Sequence, residues 1–296
     1  MNVRFGYGSR ADVRAVADVV RLAEQADRQD LDHFSTSDHP YLADQLDAYA
    51  MVGYLLGRTE RIAGLANVSN LPLRPAPMLA RTASSLASLS GGRVILGLGA
   101  GGLPERIAAM GGPRRSPTEA VEAFEEGMVL LKALTTAGPP VTSEGPHYPV
   151  DSLPPAPAPG LQIWTGSVGK KSLAATGRRA DGWIPGHAAD WLSDAYKESR
   201  AIIDQAAAEV GRKPSDIATI YNLPGVITAR PVDRVRDAAG RWLGGSADQW
   251  IEELTGAVLE HGASGFTLFP RGTEPFELSL KRWARDIVPA VRAAIS

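Results

Sequence analysis

The chain has 296 residues, 44% of them hydrophobic, with 31 basic against 33 acidic side chains and no cysteine. A net charge of −2 offers no basic surplus for a phosphate backbone, and the lack of thiols excludes disulfides and thiolate chemistry. No apolar run approaches the roughly 20 residues that span a bilayer, and residues 1–10 lack a basic segment followed by a long apolar one. The expectation is a cytoplasmic globular protein with neither a membrane nor a nucleic-acid partner.

Short apolar runs alternate with helical patterns along the chain. Strands are expected at 3–8, 33–38, 62–68, 94–101, 162–167, 182–186, 217–227 and 265–270. Helices are expected at 12–29, 44–57, 78–89, 117–136, 169–177, 189–210, 247–261 and 275–294. In the third helix, Leu79, Thr82, Ala83 and Leu86 recur at spacings of three and four, and Gly91-Gly92 supplies a stop. Eight strand–helix pairs at this length predict an α/β fold, a (β/α)8 TIM barrel forming one domain over residues 1–296. An open doubly wound sheet is the competing arrangement. Residues 137–160 break the rhythm with Gly138-Pro-Pro140, Gly145-Pro146 and Pro154-Pro-Ala-Pro-Ala-Pro-Gly160. Proline at that density predicts an insertion without helix and with little strand pairing.

In a barrel of this kind, ligands sit past the C-terminal ends of the strands. The second strand ends in Thr36-Ser-Asp-His-Pro40. Histidine is the side-chain type that titrates nearest neutrality, and Asp38 stands beside His39, a pairing suited to proton transfer, although a turn-capping aspartate beside an idle histidine would read the same. His187 has the same positional argument after the sixth strand. His33 begins its strand, at the other end, and is expected to be structural. The third strand runs into Asn67-Val-Ser-Asn70, and the fourth ends in Gly97-Leu-Gly-Ala-Gly-Gly102, where Gly99, Ala100 and Gly101 would let a flat ring approach the backbone. The latter satisfies G-x-G-x-x-G, but Leu103-Pro104 interrupts the helix that a dinucleotide fingerprint requires, and the acids about 20 residues on fall within a helical pattern. After the fifth strand, Gly166-Ser-Val-Gly-Lys-Lys171 opens a helix, a place where free N–H groups and the dipole favour an anion. Gly166, Ser167, Val168, Gly169 and Lys170 are therefore candidate phosphate contacts. The five histidines show no zinc-ligand spacing, and no metal is expected.

The sequence resembles the luciferase-like monooxygenase superfamily nearly end to end. The resemblance is carried by Ser37-Asp-His-Pro40, Asn67-Val-Ser-Asn-Leu-Pro-Leu-Arg74, Leu89-Ser-Gly-Gly-Arg93, Gly97-Leu-Gly-Ala-Gly101, Ala109-Met-Gly-Gly-Pro-Arg, Ile163-Trp-Thr-Gly166 and Ala180-Asp-Gly-Trp183. It implies a TIM-type barrel with a long insertion and a flavin or deazaflavin ring lying across the strand ends. It also implies a non-proline cis peptide at Asn67–Val68 or Val68–Ser69, with Ser69 in the same ring-supporting segment and the Asn70 amide at the ring edge. The Asp-His pair matches members that use coenzyme F420, whose acidic tail Lys170, Lys171, Arg178 and Arg179 would suit. His39 would manage the proton, oriented by Asp38. Sugar-phosphate dehydrogenases of the group carry a glutamate where this chain has Gly102, so that activity is not expected. The resemblance thus implies F420-dependent hydride transfer to or from a small-molecule substrate. The alternatives are a monooxygenase using reduced FMN and oxygen with a separate reductase, and a non-enzymatic flavin-binding barrel. A homo-oligomer, a dimer, is implied on the same ground.

Overall fold

The computed structural model describes residues 3–10 and 12–296; Met1 and Asn2, which open the N-terminal stretch read above, and Ala11 lie outside them. Eight parallel strands form the barrel: β1 (Arg4–Ser9), β2 (His33–Thr36), β3 (Ala63–Ala66), β4 (Val94–Gly99), β5 (Gln162–Thr165), β6 (Gly182–Trp183), β7 (Ala218–Thr228) and β8 (Gly265–Pro270). Each pairs with the next, and β8 closes on β1 with Gly6 beside Thr267. The surrounding helices are α1 (Val16–Arg28), α2 (Ala48–Arg58), α3 (Ala76–Ser90), α4 (Pro117–Thr135), α5 (Lys170–Arg179), α6 (Asp194–Glu209), α7 (Ala247–Leu259) and α8 (Phe276–Arg282). The last runs through a wider turn, Trp283–Ile287, into α9 (Val288–Ala294). None of these helices is long and apolar enough to cross a membrane.

The periodicity placed each of the eight barrel strands and of the helices between them; it missed the short helix Pro104–Ala109 and the short strand Gly244–Ser246, and the other differences lie at element ends. Residues 44–47 and 189–193 are turns, because Asp47 and Ser193 cap α2 and α6 by accepting first-turn N–H groups. Helix α3 buries Leu79, Ala83 and Leu86 and ends at Gly91, whose φ of 67° is left-handed and favours a residue without a Cβ. The insertion differs from expectation. Val141–Ser143 and Val150–Leu153 pair as an antiparallel hairpin, since every proline of the segment falls outside the two short strands.

Most of the apolar core lies between barrel and helices, with Phe5, Phe266, Trp250 and Trp283 packed edge to face or tilted on one side. The barrel interior is filled by Leu65, Ile95, Trp164, Ile184 and Ile220, together with one histidine. The His33 and Trp164 rings meet edge to face, 5.6 Å between centres. Each large ring requires a small neighbour across the sheet. A Cβ on Gly6 would stand 2.1 Å from His33 Nε2, and one on Gly182 would stand 2.6 Å from Trp164 Cδ1.

His33 is fully buried, as a structural histidine should be, with Nε2 2.7 Å from Thr267 Oγ1. Burial, helped by the Arg4 charge, lowers its pKa from 6.5 to about 3. The unfolded chain therefore binds this proton below pH 6.5 while the folded chain does not until about pH 3, so stability must fall as pH falls through that window. We expect the group to remove roughly 1–2 kcal/mol between pH 6.5 and 5. Urea midpoints across this range should show a slope that His33→Leu reduces; an unchanged slope would count against a neutral buried imidazole.

Candidate active site

The C-terminal ends of the strands converge on a cavity of about 320 Å³. Of the residues singled out in the sequence, Asp38, His39, Asn67, Val68, Ser69, Asn70, Gly99, Gly101 and Gly166 line it. Ser167, Val168 and Lys170 line a neighbouring cavity of about 230 Å³ that shares Pro185 and Gly186 with the first. Gly169 lines neither and is the residue that precedes α5. Ala100 packs instead against the apolar layer that includes α2 and α3, so only its flanking glycines reach the cavity. The peptide bond Asn67–Val68 is cis, the first of the two links that the resemblance implied.

The glycines have a reason that the sequence did not show. A Cβ on Gly99 or Gly166 would come within 2.9 Å or 3.0 Å of Val68 Cγ2. The Val68 side chain thus fills the room left by both glycines and forms the cavity floor between β4 and β5. Gly101 (φ 95°) packs on Pro72 and Ile107, and only Gly102 borders open space.

Asp38 does not orient His39, which corrects the expected pairing. Its buried carboxylate takes two hydrogen bonds from Arg74, Nε to Oδ2 and Nη2 to Oδ1, each 2.7 Å, and a third from the Asn70 N–H at 2.9 Å. Arg74 also donates to Asp47, the cap of α2, at 2.5 Å, and its guanidinium lies 4.8 Å from the centre of the Tyr49 ring. Burial pulls the Arg74 pKa down, but the two carboxylates outweigh it and hold the group charged, above its ordinary value. Tyr49 in turn shares a 2.7 Å hydrogen bond with Ser69. His39 finds a different partner. Its Nδ1 is 2.8 Å from the Tyr41 hydroxyl.

Two further expectations change. Arg178 and Arg179 both bind Glu125 on α4, with Arg178 Nε and Nη2 at 2.8 Å and 2.6 Å. They stand at the far end of α5, about 12 Å of helix from its N-terminus, so they do not extend positive charge around the mouth. Lys170 and Lys171, at the opening turn, are exposed, and no side chain caps the helix start. Ser167 is buried and its hydroxyl oxygen accepts a hydrogen bond from Thr176 at 2.8 Å, which leaves its own hydrogen, with the backbone N–H groups, as the anion donors of this turn. The sequence did not single out Arg74, Tyr41, Ile184 or Asn222. Asn222, on β7, accepts a 2.8 Å hydrogen bond from Asn67 and also lines a third, larger cavity of about 710 Å³ over β1, β7 and β8.

The profile of the luciferase-like monooxygenase family matches residues 2–275, and the chain belongs to that family. It is 31% identical over 210 residues to a phthiodiolone/phenolphthiodiolone dimycocerosates ketoreductase of Mycobacterium tuberculosis, covering 67% of this chain and 52% of the relative. It is 30% identical over 191 residues to an F420-dependent glucose-6-phosphate dehydrogenase of Nakamurella multipartita, covering 62% and 56%. The chain thus spans about half the length of the curated relatives it matches. The fold matches an F420-dependent secondary alcohol dehydrogenase solved with an F420–acetone adduct, at a TM-score of 0.82, 18% identity, and 99% and 100% coverage.

Removing Arg74 would strand a buried carboxylate. Arg74→Ala should lower the unfolding free energy by about 3 kcal/mol or more, while Arg179→Ala, at an exposed pair, should stay within about 1 kcal/mol. Denaturant titrations measure both. A loss from Arg74→Ala no larger than that from Arg179→Ala would refute the central role given to this ion pair.

Proposed function

We propose that this protein is an F420-dependent oxidoreductase that moves hydride between the deazaflavin and a small organic carbonyl or alcohol. The observation that carries a ring of this class is Asn70, and the F420-dependent relative favours the deazaflavin over flavin. Asn70 Oδ1 is buried at the cavity wall without a hydrogen-bond partner, beside the Val68 floor and below an exposed imidazole. An acceptor left unsatisfied in such a place suits a ring N–H, and the flat floor suits the ring itself. The uncapped start of α5 suits a phosphate. When bound, the deazaflavin supplies the two-electron chemistry. The chain's part is to seat the ring between Val68 and Asn70, to hold the phosphate at 167–170, and to exchange a proton with the substrate oxygen through His39.

The 710 Å³ cavity, sharing Asn222 with the first, gives a substrate room beside the ring and argues against a barrel that only binds flavin. The ketoreductase and dehydrogenase names of the relatives support carbonyl–alcohol chemistry over oxygen insertion. Sugar phosphate fits poorly. Gly102 brings no carboxylate to the mouth, and Glu105 is exposed and paired with Arg114 at 3.0 Å.

Titration of the apoprotein, followed by cofactor fluorescence, should show F420 binding at least about tenfold more tightly than FMN. Tight FMN binding without F420 binding would overturn the proposal and favour a reduced-FMN monooxygenase served by a separate reductase. At the phosphate turn, a Cβ on Gly169 meets only Ser172 Oγ, at an ordinary 3.7 Å, so Gly169→Val should fold. It should weaken F420 binding by roughly tenfold through loss of backbone approach, and Lys170→Ala by no more than about fivefold. Equal and negligible effects would remove the anion site.

A further inference from the structure

The mouth cavity contains few groups able to exchange a proton. Of its lining residues only Asp38, His39 and Tyr41 carry titratable side chains, and Asp38 is occupied by Arg74 and the Asn70 N–H. What remains is one linked pair, His39 Nδ1 and the Tyr41 hydroxyl at 2.8 Å, their rings 5.6 Å apart. Among the described residues His39 Nε2 has no hydrogen-bond partner, so it is the nitrogen open to a ligand. Which atom carries the proton between Nδ1 and the phenol then decides what Nε2 can do.

We propose that Tyr41 is a positioning residue that donates its phenol proton to His39 Nδ1 and so fixes the neutral imidazole with its own proton on Nε2. The inference deepens the function proposed above and rests on it for the identity of the reaction, but not for the arrangement of the pair. The state of the phenol favours this direction. Burial raises the phenol pKa, opposed by Arg106, whose guanidinium stands 5.9 Å from the ring centre, and reinforced by the Asp38 charge. The group facing His39 is therefore a neutral phenol, a better donor than a neutral imidazole N–H is to it. Arg74, the remaining charge nearby, is spent on Asp38 and Asp47.

The proton balance follows. Reduction of a carbonyl by hydride from a reduced deazaflavin leaves the electron pair of the broken C=O π bond on oxygen. The Nε2–H bond breaks and an O–H bond forms, giving the alcohol. The Tyr41 O–H bond breaks as Nδ1–H forms, so the imidazole stays neutral with its proton moved across the ring. The net acid is a phenol and the net base an alkoxide, which makes the transfer downhill. Tyr41, partly exposed, regains its proton from solvent.

The test is made on the full chain, as parent and as Tyr41→Phe. In the apoprotein, two-bond ¹H–¹⁵N correlation of the histidine side chains should show His39 protonated at Nε2, and a mixture of tautomers in Tyr41→Phe. A parent His39 protonated at Nδ1 would overturn the proposal, whatever the cofactor. With F420H₂ and a ketone, Tyr41→Phe should lower kcat by about tenfold to hundredfold with KM within about twofold. A matched rise in KM at unchanged kcat would mean that Tyr41 only shapes the pocket, and would also overturn it. No turnover in the parent, with the Nε2 tautomer intact, would count against the F420 function and leave the His39–Tyr41 arrangement standing.

Discussion

Arg74 holds the mouth of this barrel together. One guanidinium joins Asp38 at the end of β2, Asp47 at the start of α2 and the face of Tyr49, while Asp38 receives the Asn70 N–H from the loop after β3. Such a pair is costly to bury and is stable only when its hydrogen-bonding groups are met, as they largely are here. The consequence is chemical as well as mechanical. Because Asp38 is committed to Arg74, it is not available to charge or orient His39. In the function proposed above, proton management would pass to an imidazole whose neighbour is a phenol.

The floor depends on a second constraint. Val68 reaches the space between β4 and β5 only because Gly99 and Gly166 have no side chains, and those glycines are restricted by Val68 rather than by a ligand. In the function proposed above, the ring would therefore rest on a branched apolar side chain, with the polar edge left to Asn70. A flat apolar shelf with one unsatisfied acceptor at its rim discriminates little between flavin and deazaflavin. The phosphate turn and the mouth loops are where the choice between cofactors would be made.

The barrel was legible in the sequence because each strand and helix carries its own local signal: alternation or an apolar run, a cap, a glycine stop. Strand ends were legible for the same reason, which is why Asp38, His39, Asn70, Gly101 and Gly166 could be placed together without coordinates. Partners were not. Asp38 lies 36 residues from Arg74, and Arg178 lies 53 from Glu125; each pair is joined only when neighbouring barrel units pack side by side. Adjacency in sequence suggested Asp38 with His39 and a basic run at Arg178-Arg179, and in both cases a charge across the fold had the stronger claim. The hairpin at 141–153 was hidden by prolines that turn out to flank its strands.

Asn222 connects these local arrangements to a reaction geometry. It links β7 to β3 through Asn67, and it lines both the cavity under His39 and the larger one over β1, β7 and β8. Hydride transfer requires donor and acceptor carbons in direct contact with water kept out, so ring and substrate sites must open into each other. Asn222 is the residue that lines both cavities and so marks where they would have to join. In the function proposed above, the substrate would lie in the larger cavity, bounded by Phe269, Pro224, Val19 and Leu22, with Arg10 and Arg271 among its polar lining. Such a lining suits a substrate with an apolar body, and the reacting oxygen would be the part directed toward Asn222 and His39.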